Sequence, residues 1–153
     1  MKRTLFAAAQ VRGSDDFTCI KGRVTFQKTP QGVLVTANIY GLPEAFGCYG
    51  VFAFHIHDGG CCTGNKTDSF ADAGTHYNPC GNPHPYHAGD LPPLFANDGH
   101  AYMTVLTNRF TVDEIIGKTV VIHSQPDDFT SQPSGNAGEK IACGVICTNS
   151  RIN

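Results

Sequence analysis

The chain carries seven histidines in 153 residues, and their spacing is that of metal ligands. His55-Ile56-His57 closes an apolar run. On an extended strand, alternation puts both imidazoles on one face and Ile56 on the other, so two nitrogens can converge on one ion. Taken alone, the pair is a weak signal and reads better as two surface histidines. His123 closes a second apolar run, Thr119-Val120-Val121-Ile122-His123, and can join the pair from across a sheet. In the intervening stretch come His76, His84, His87 and Asp90. Three imidazoles and one carboxylate satisfy a closed tetrahedral zinc site. His55, His57 and His123 with one shared histidine make a tetragonal all-nitrogen set, which suits Cu(II). His100, in Asn97-Asp98-Gly99-His100, falls in an apparent turn away from these motifs and is expected to be solvent-exposed.

Residues so far apart need a rigid frame, and the sequence supplies one by alternation. In Val33-Leu34-Val35-Thr36-Ala37-Asn38-Ile39-Tyr40, every second side chain is apolar, as a half-buried strand requires. Arg23–Lys28 repeats the pattern with Val24 and Phe26, and Thr29-Pro30-Gln31-Gly32 between the two runs reads as a hairpin turn. Further strands are expected at Leu5–Val11, Val51–His57, Ala101–Leu106, Thr119–His123 and Ile141–Ile146, with one helical turn at Val112–Ile116. Short strands punctuated by 17 glycines and 9 prolines predict an all-β fold: an antiparallel Greek-key β-sandwich or flattened barrel, as a single domain over residues 1–153. Asp58 to about Pro93 and Gln125–Glu139 show no period and form long loops. Cysteine and histidine are poor choices for a disordered linker, so the chemistry is expected in the first loop.

Composition narrows the function classes. The net charge is −2, and Lys and Arg form no stripe along the sequence, so nucleic acid is not an expected partner. No apolar run approaches the ~20 residues of a membrane span. The first ten residues lack the apolar stretch of a secretory leader, which points to the cytoplasm, with export after leader removal as the alternative. Seven cysteines cannot all pair within one chain, and buried free thiols are expected at Cys19 and Cys147.

Five segments together resemble the copper–zinc superoxide dismutase family: Phe54-His55-Ile56-His57, Gly74-Thr75-His76-Tyr77-Asn78-Pro79, His87-Ala88-Gly89-Asp90-Leu91, Val120-Val121-Ile122-His123 and Gly135–Ile146. The order matches, and the likeness runs from Leu5 to Ile146. The resemblance implies a β-sandwich enzyme that dismutes superoxide anion by alternating reduction and oxidation of a bound copper ion, beside a structural zinc ion. It implies copper on His55, His57, His76 and His123, and zinc on His76, His84, His87 and Asp90. His76 would be the shared imidazole and would take up a proton in the cycle. Asp127 matches the aspartate that fixes one copper and one zinc histidine, here His55 and His84. A homodimer is one assembly the resemblance allows.

Three departures qualify the resemblance. Lys140 stands where the family usually has the arginine that guides and anchors superoxide, which keeps the charge but loses the planar fork. Only Pro85 and Tyr86 separate His84 from His87, a shortened zinc loop. Cys143 matches the family's C-terminal disulfide cysteine, and its partner is expected at Cys61 or Cys62, with Cys62 preferred because it precedes the Thr63-Gly64-Asn65 turn. The opposing reading is a non-catalytic copper- and zinc-binding or metal-buffering module on the same fold.

Overall fold

The computed structural model describes residues 6–148, so Leu5, the first residue of the first expected strand, lies outside the described residues. Eight strands form the frame: β1 (Phe6–Gly13), β2 (Lys21–Thr29), β3 (Gly32–Tyr40), β4 (Tyr49–His57), β5 (Asp90–Asn97), β6 (His100–Thr107), β7 (Thr119–His123) and β8 (Lys140–Thr148). They close into an antiparallel barrel in the order β1-β2-β3-β6-β5-β4-β7-β8, so the β3–β4 and β6–β7 connections cross over intervening strands in Greek-key fashion. The second crossover carries α1 (Val112–Ile115), where Thr111 and Glu114 form a reciprocal capping box. In β3 the side chains of Val33, Val35, Ala37 and Ile39 point into the barrel and join Val24, Phe26, Phe54, Ile56, Val120 and Ile122 in one core.

One strand escapes sequence reading. β5 contains Pro92 and Pro93, and the pattern placed its first residues in the loop ending near Pro93. The register explains why prolines are tolerated in a central strand. Phe52 pairs with Leu94 and Phe54 with Leu91, so Pro92 and Pro93 together oppose the single residue Ala53 in a bulge. The Ala53 amide turns away to the carbonyl of Gln125, 2.9 Å distant, and the missing proline donors break no ladder there. The β5–β6 turn is Asp98-Gly99 with φ of 50° and 72°, the left-handed pair that a two-residue hairpin favours.

β4 and β7 are buried on both faces along their functional halves, as is β8 over Ile141–Gly144. Phe54, Ile56, Val120 and Ile122 face the barrel interior. His55, His57, Val121 and His123 have the opposite parity and lie outside it, yet they too are buried. Their cover is the two long loops, residues 58–89 and 124–139. β4 and β7 are antiparallel neighbours, so the loops leave from opposite ends and fold toward each other across this outer face. Beneath them Phe70, Ala73, Val121 and Cys143 pack as a second apolar cluster with Cys62 against it.

Two expectations are corrected. Cys19 and Cys147 are exposed, not buried. Cys147 shares the outward parity of Cys143 on β8, but the loop cover ends before it, and Val145 between them is already half-buried. His100 is half-buried rather than exposed: its Nε2 meets Asn38 Oδ1 at 2.8 Å, and its ring stacks on Tyr40 at 4.4 Å and 4°.

Candidate metal centre

The strand ends supply four of the candidate ligands and the loops supply the rest. His55 and His57 project from β4, His123 ends β7, and Asp90 opens β5 directly opposite His55. His76 is brought alongside β4 by backbone pairing. Asp58 N donates to Thr75 O at 2.8 Å, Tyr77 N donates to Ile56 O at 2.8 Å, and His57 and His76 form a bridge. Gly89 lets the loop return against the same strand, because a Cβ there would sit 2.3 Å from the Ile56 carbonyl oxygen.

The result is two donor groups that share one residue. His55, His57, His76 and His123 each place a ligand atom within 4.8 Å of the others, and so do His76, His84, His87 and Asp90. Second contacts fix which ring atoms face inward. Asp127 accepts from His55 Nε2 through one oxygen and from His84 Nε2 through the other, both at 2.8 Å. That leaves Nδ1 of each ring turned into a donor group. His57 Nδ1 donates to Gly74 O at 2.8 Å and His123 Nδ1 to Gly138 O at 3.3 Å, which leaves their Nε2 atoms 3.2 Å apart. His76 turns Nδ1 toward Asp90 at 2.8 Å and His87 at 3.2 Å, while its Nε2 faces the four-histidine group.

Burial favours the neutral, ligand form of His55, His57, His87 and His123. Burial, aided by neighbouring His55, lowers His123 to about 3, and burial likewise depresses His57 well below the usual imidazole value. Burial opposes ionisation of Asp127, but hydrogen bonds from His55 and His84 outweigh it and hold the carboxyl well below its ordinary range. His55 Nδ1, His76 Nε2 and His84 Nδ1 are buried without a hydrogen-bond partner. Buried lone pairs left unpaired are costly, and one cation in each donor group satisfies them: His55 Nδ1 and His76 Nε2 in the first, His84 Nδ1 in the second. The donor sets suit two different ions: four neutral nitrogens for copper, and three nitrogens with one carboxylate for zinc.

Several residues hold this arrangement together without having been singled out in the sequence. Gln132 pairs with the backbone of His84 in both directions, at 2.9 and 2.7 Å. Arg109 Nη1 donates to the carbonyls of Pro85, His87 and Asp90, each at 3.2 Å, and so braces the short zinc-loop turn from behind. Both partners lie far away in sequence, and no local pattern announces them. Gly135 had a signal in the Gly135-Asn136-Ala137-Gly138 run. Its φ is 70°, and a Cβ would lie 2.0 Å from Asp127 Oδ1 and 2.6 Å from His84 Nε2. Gly135→Ala is therefore expected to push Asp127 off His84 and weaken zinc binding by about 10–100-fold, the range for such outer partners. Zinc titration of the metal-free protein against a competing chelator checks this, and unchanged affinity would contradict it.

A cleft of about 590 Å³ opens onto His57, His76 and His123. Its charged walls are Lys66, Lys140, Asp16, Asp68 and Glu139. Lys140 reaches the cleft, but its Nζ donates to Asp68. Cys62 and Cys143 are joined in a disulfide, and Cys61 is an exposed free thiol.

A family model for copper/zinc superoxide dismutase matches residues 20–146. The chain is 39% identical over 140 residues to Cu-Zn superoxide dismutase 2 of Aquifex aeolicus (strain VF5), covering 82% of this chain and 78% of the relative. It is 38% identical over 132 residues to the Cu-Zn superoxide dismutase of Legionella pneumophila, covering 82% and 76%. Among solved structures it is similar to a Cu/Zn superoxide dismutase from Brucella abortus, with a TM-score of 0.76, 27% identity, and coverage of 92% of this chain and 98% of the other.

Proposed function

We infer that this chain, which belongs to the copper/zinc superoxide dismutase family, converts superoxide to dioxygen and hydrogen peroxide. The observation that carries the reading is His76, one buried imidazole whose two nitrogens face two different donor groups. We assign copper to His55, His57, His76 and His123, and zinc to His76, His84, His87 and Asp90. The fixed tautomers of His55 and His84 and the orphaned nitrogens support this division.

When bound, copper supplies the one-electron couple and zinc a redox-silent positive charge. Two superoxide anions and two protons give one dioxygen and one hydrogen peroxide, so the protein must admit an anion and deliver protons. Asp127, Gly74 and Gly138 each take one nitrogen of His55, His57 and His123, which locks those three rings. We assign proton carriage to His76 Nε2, because His76 is the ring that stands in both donor groups and no protein group holds that nitrogen. The cleft admits small anions at the faces of His57 and His123, and Lys140 on its wall can offer them N–H groups at short range.

Superoxide decay, measured on metal-free, zinc-only and copper–zinc protein with metal content determined on the same samples, tests the reading. Decay above background is expected in the copper–zinc form alone. Full occupancy of both metals without decay would return the metal-buffering module. Lys140→Glu sets two carboxylates against each other on the cleft wall. It is expected to slow decay by about tenfold or more at low salt while both metals stay bound. A variant as fast as the parent would remove Lys140 from the anion path.

A further inference from the structure

The ammonium of Lys140 does not stand open to the cleft. It is paired with Asp68, and the pair is well supported on the carboxylate side. Asp68 Oδ1 accepts from the Phe70 amide at 3.0 Å, the Asp68 amide donates to Asn65 Oδ1 at 3.1 Å, and Asp68 O accepts from the amides of Asn65 and Ala71 at 2.9 and 3.2 Å. Asp68 is thus fixed by its own turn in the loop after β4. Partial burial disfavours its charge, but the Lys140 hydrogen bond and the Phe70 amide outweigh that and keep the carboxyl below its ordinary value. With Asp16 and Glu139, the cleft wall holds three carboxylates against the two ammoniums of Lys66 and Lys140.

An isolated cation attracts an anion with an energy falling as 1/r, whereas a closed ion pair presents a dipole whose field dies away faster. Lys140 keeps N–H groups for contact at short range, since an ammonium has three donors. What the pair removes is the long-range pull. We propose that Asp68 is a charge-setting residue of the superoxide cleft: by holding Lys140 Nζ in an ion pair it withdraws that ammonium from steering, leaving a site that anions approach with little electrostatic help. This rests on the dismutase reading of the same cleft. Asp68 acts through Lys140 and is a positioning residue, not a catalytic one.

Azide, a small monovalent anion, is the probe, titrated optically into copper–zinc protein at low and high salt. Asp68→Asn keeps the shape and a hydrogen-bonding side chain while deleting the charge. At low ionic strength it is expected to bind azide about fivefold more tightly than the parent and to dismute superoxide faster, with both gains shrinking as salt screens the freed ammonium. In a Lys140→Gln background the same Asp68→Asn change is expected to have less than half that effect, because the ammonium it releases is gone. A residue serving only to tie the loop to β8 would give the reverse: a lower melting temperature with azide affinity unchanged or weaker, and that result overturns the proposal. So does an equal azide gain in both backgrounds. A parent that holds copper and zinc but shows no superoxide decay overturns the dismutase reading itself, and this inference with it. Unchanged azide affinity in an active enzyme overturns the charge-setting role alone.

Discussion

His76→Ala is expected to lower the occupancy of both metals and to abolish superoxide decay, the largest effect of any single substitution in this chain. His76 is the one residue common to both donor groups, so its loss leaves three ligands on each side. It also removes the atom assigned to proton carriage, so restoring metals by excess would not restore the rate. The loss of activity should exceed the roughly 10–100-fold typical of outer-sphere partners. His123→Ala deletes one copper ligand and touches none of the zinc group, so zinc should remain. His84→Ala is expected to cost zinc first. Copper should fall less, because Asp127 still holds His55 at 2.8 Å when its second partner is gone. Metal analysis of the three purified variants, with decay rates on the same samples, decides the matter. Equal loss of both metals in all three would break the two-site assignment.

Opening the Cys62–Cys143 disulfide is expected to produce the largest loss of stability. The bond closes a span of 81 residues and ties the loop after β4 to the core strand β8. In the chain-entropy model a loop of that length contributes about 4.5 kcal/mol by restricting the unfolded chain. For a domain of this size, that corresponds to a fall in melting temperature of roughly 10–15 °C. Phe70, Ala73 and Val121 pack around Cys143, so freeing the loop also loosens the cover over the histidines. Cys62→Ser should therefore weaken metal retention as well as stability. Cys61→Ser should do neither, since Cys61 is exposed and unpaired. Calorimetry of both variants, with peptide mapping under non-reducing conditions, reads the outcome. A Cys62→Ser protein that melts with the parent would show that the bond does not carry this stability.

Most of the strand framework was legible because burial on one face forces a two-residue period, as in Val33–Ile39. The same period placed His55 and His57 on one side of their strand before any fold was known. β5 was not legible, since Pro92 and Pro93 contradict strand propensity and are accommodated only by the bulge opposite Ala53. The exposure of Cys19 and Cys147 was not legible either: a thiol suits core and surface alike, and for Cys147 the extent of the loop cover over β8 decides.

By itself, then, the sequence determined the alternating strands, the two aperiodic loops and the set of histidines with one aspartate, because each of these is written in local periodicity or residue type. The tertiary structure decided what depends on distant pairing. It brought Asp127 between His55 and His84, 72 and 43 residues away, and so chose which ring nitrogens face the donor groups. It chose Cys62 over its neighbour Cys61, because Cys62 packs inward against Val121 and Cys143. It also set Asp68 on Lys140 across a separation of 72 residues. Charge and hydrogen bonding act over a few ångströms of space regardless of chain distance, so a cation read from sequence as an anion guide is, once folded, half of an ion pair.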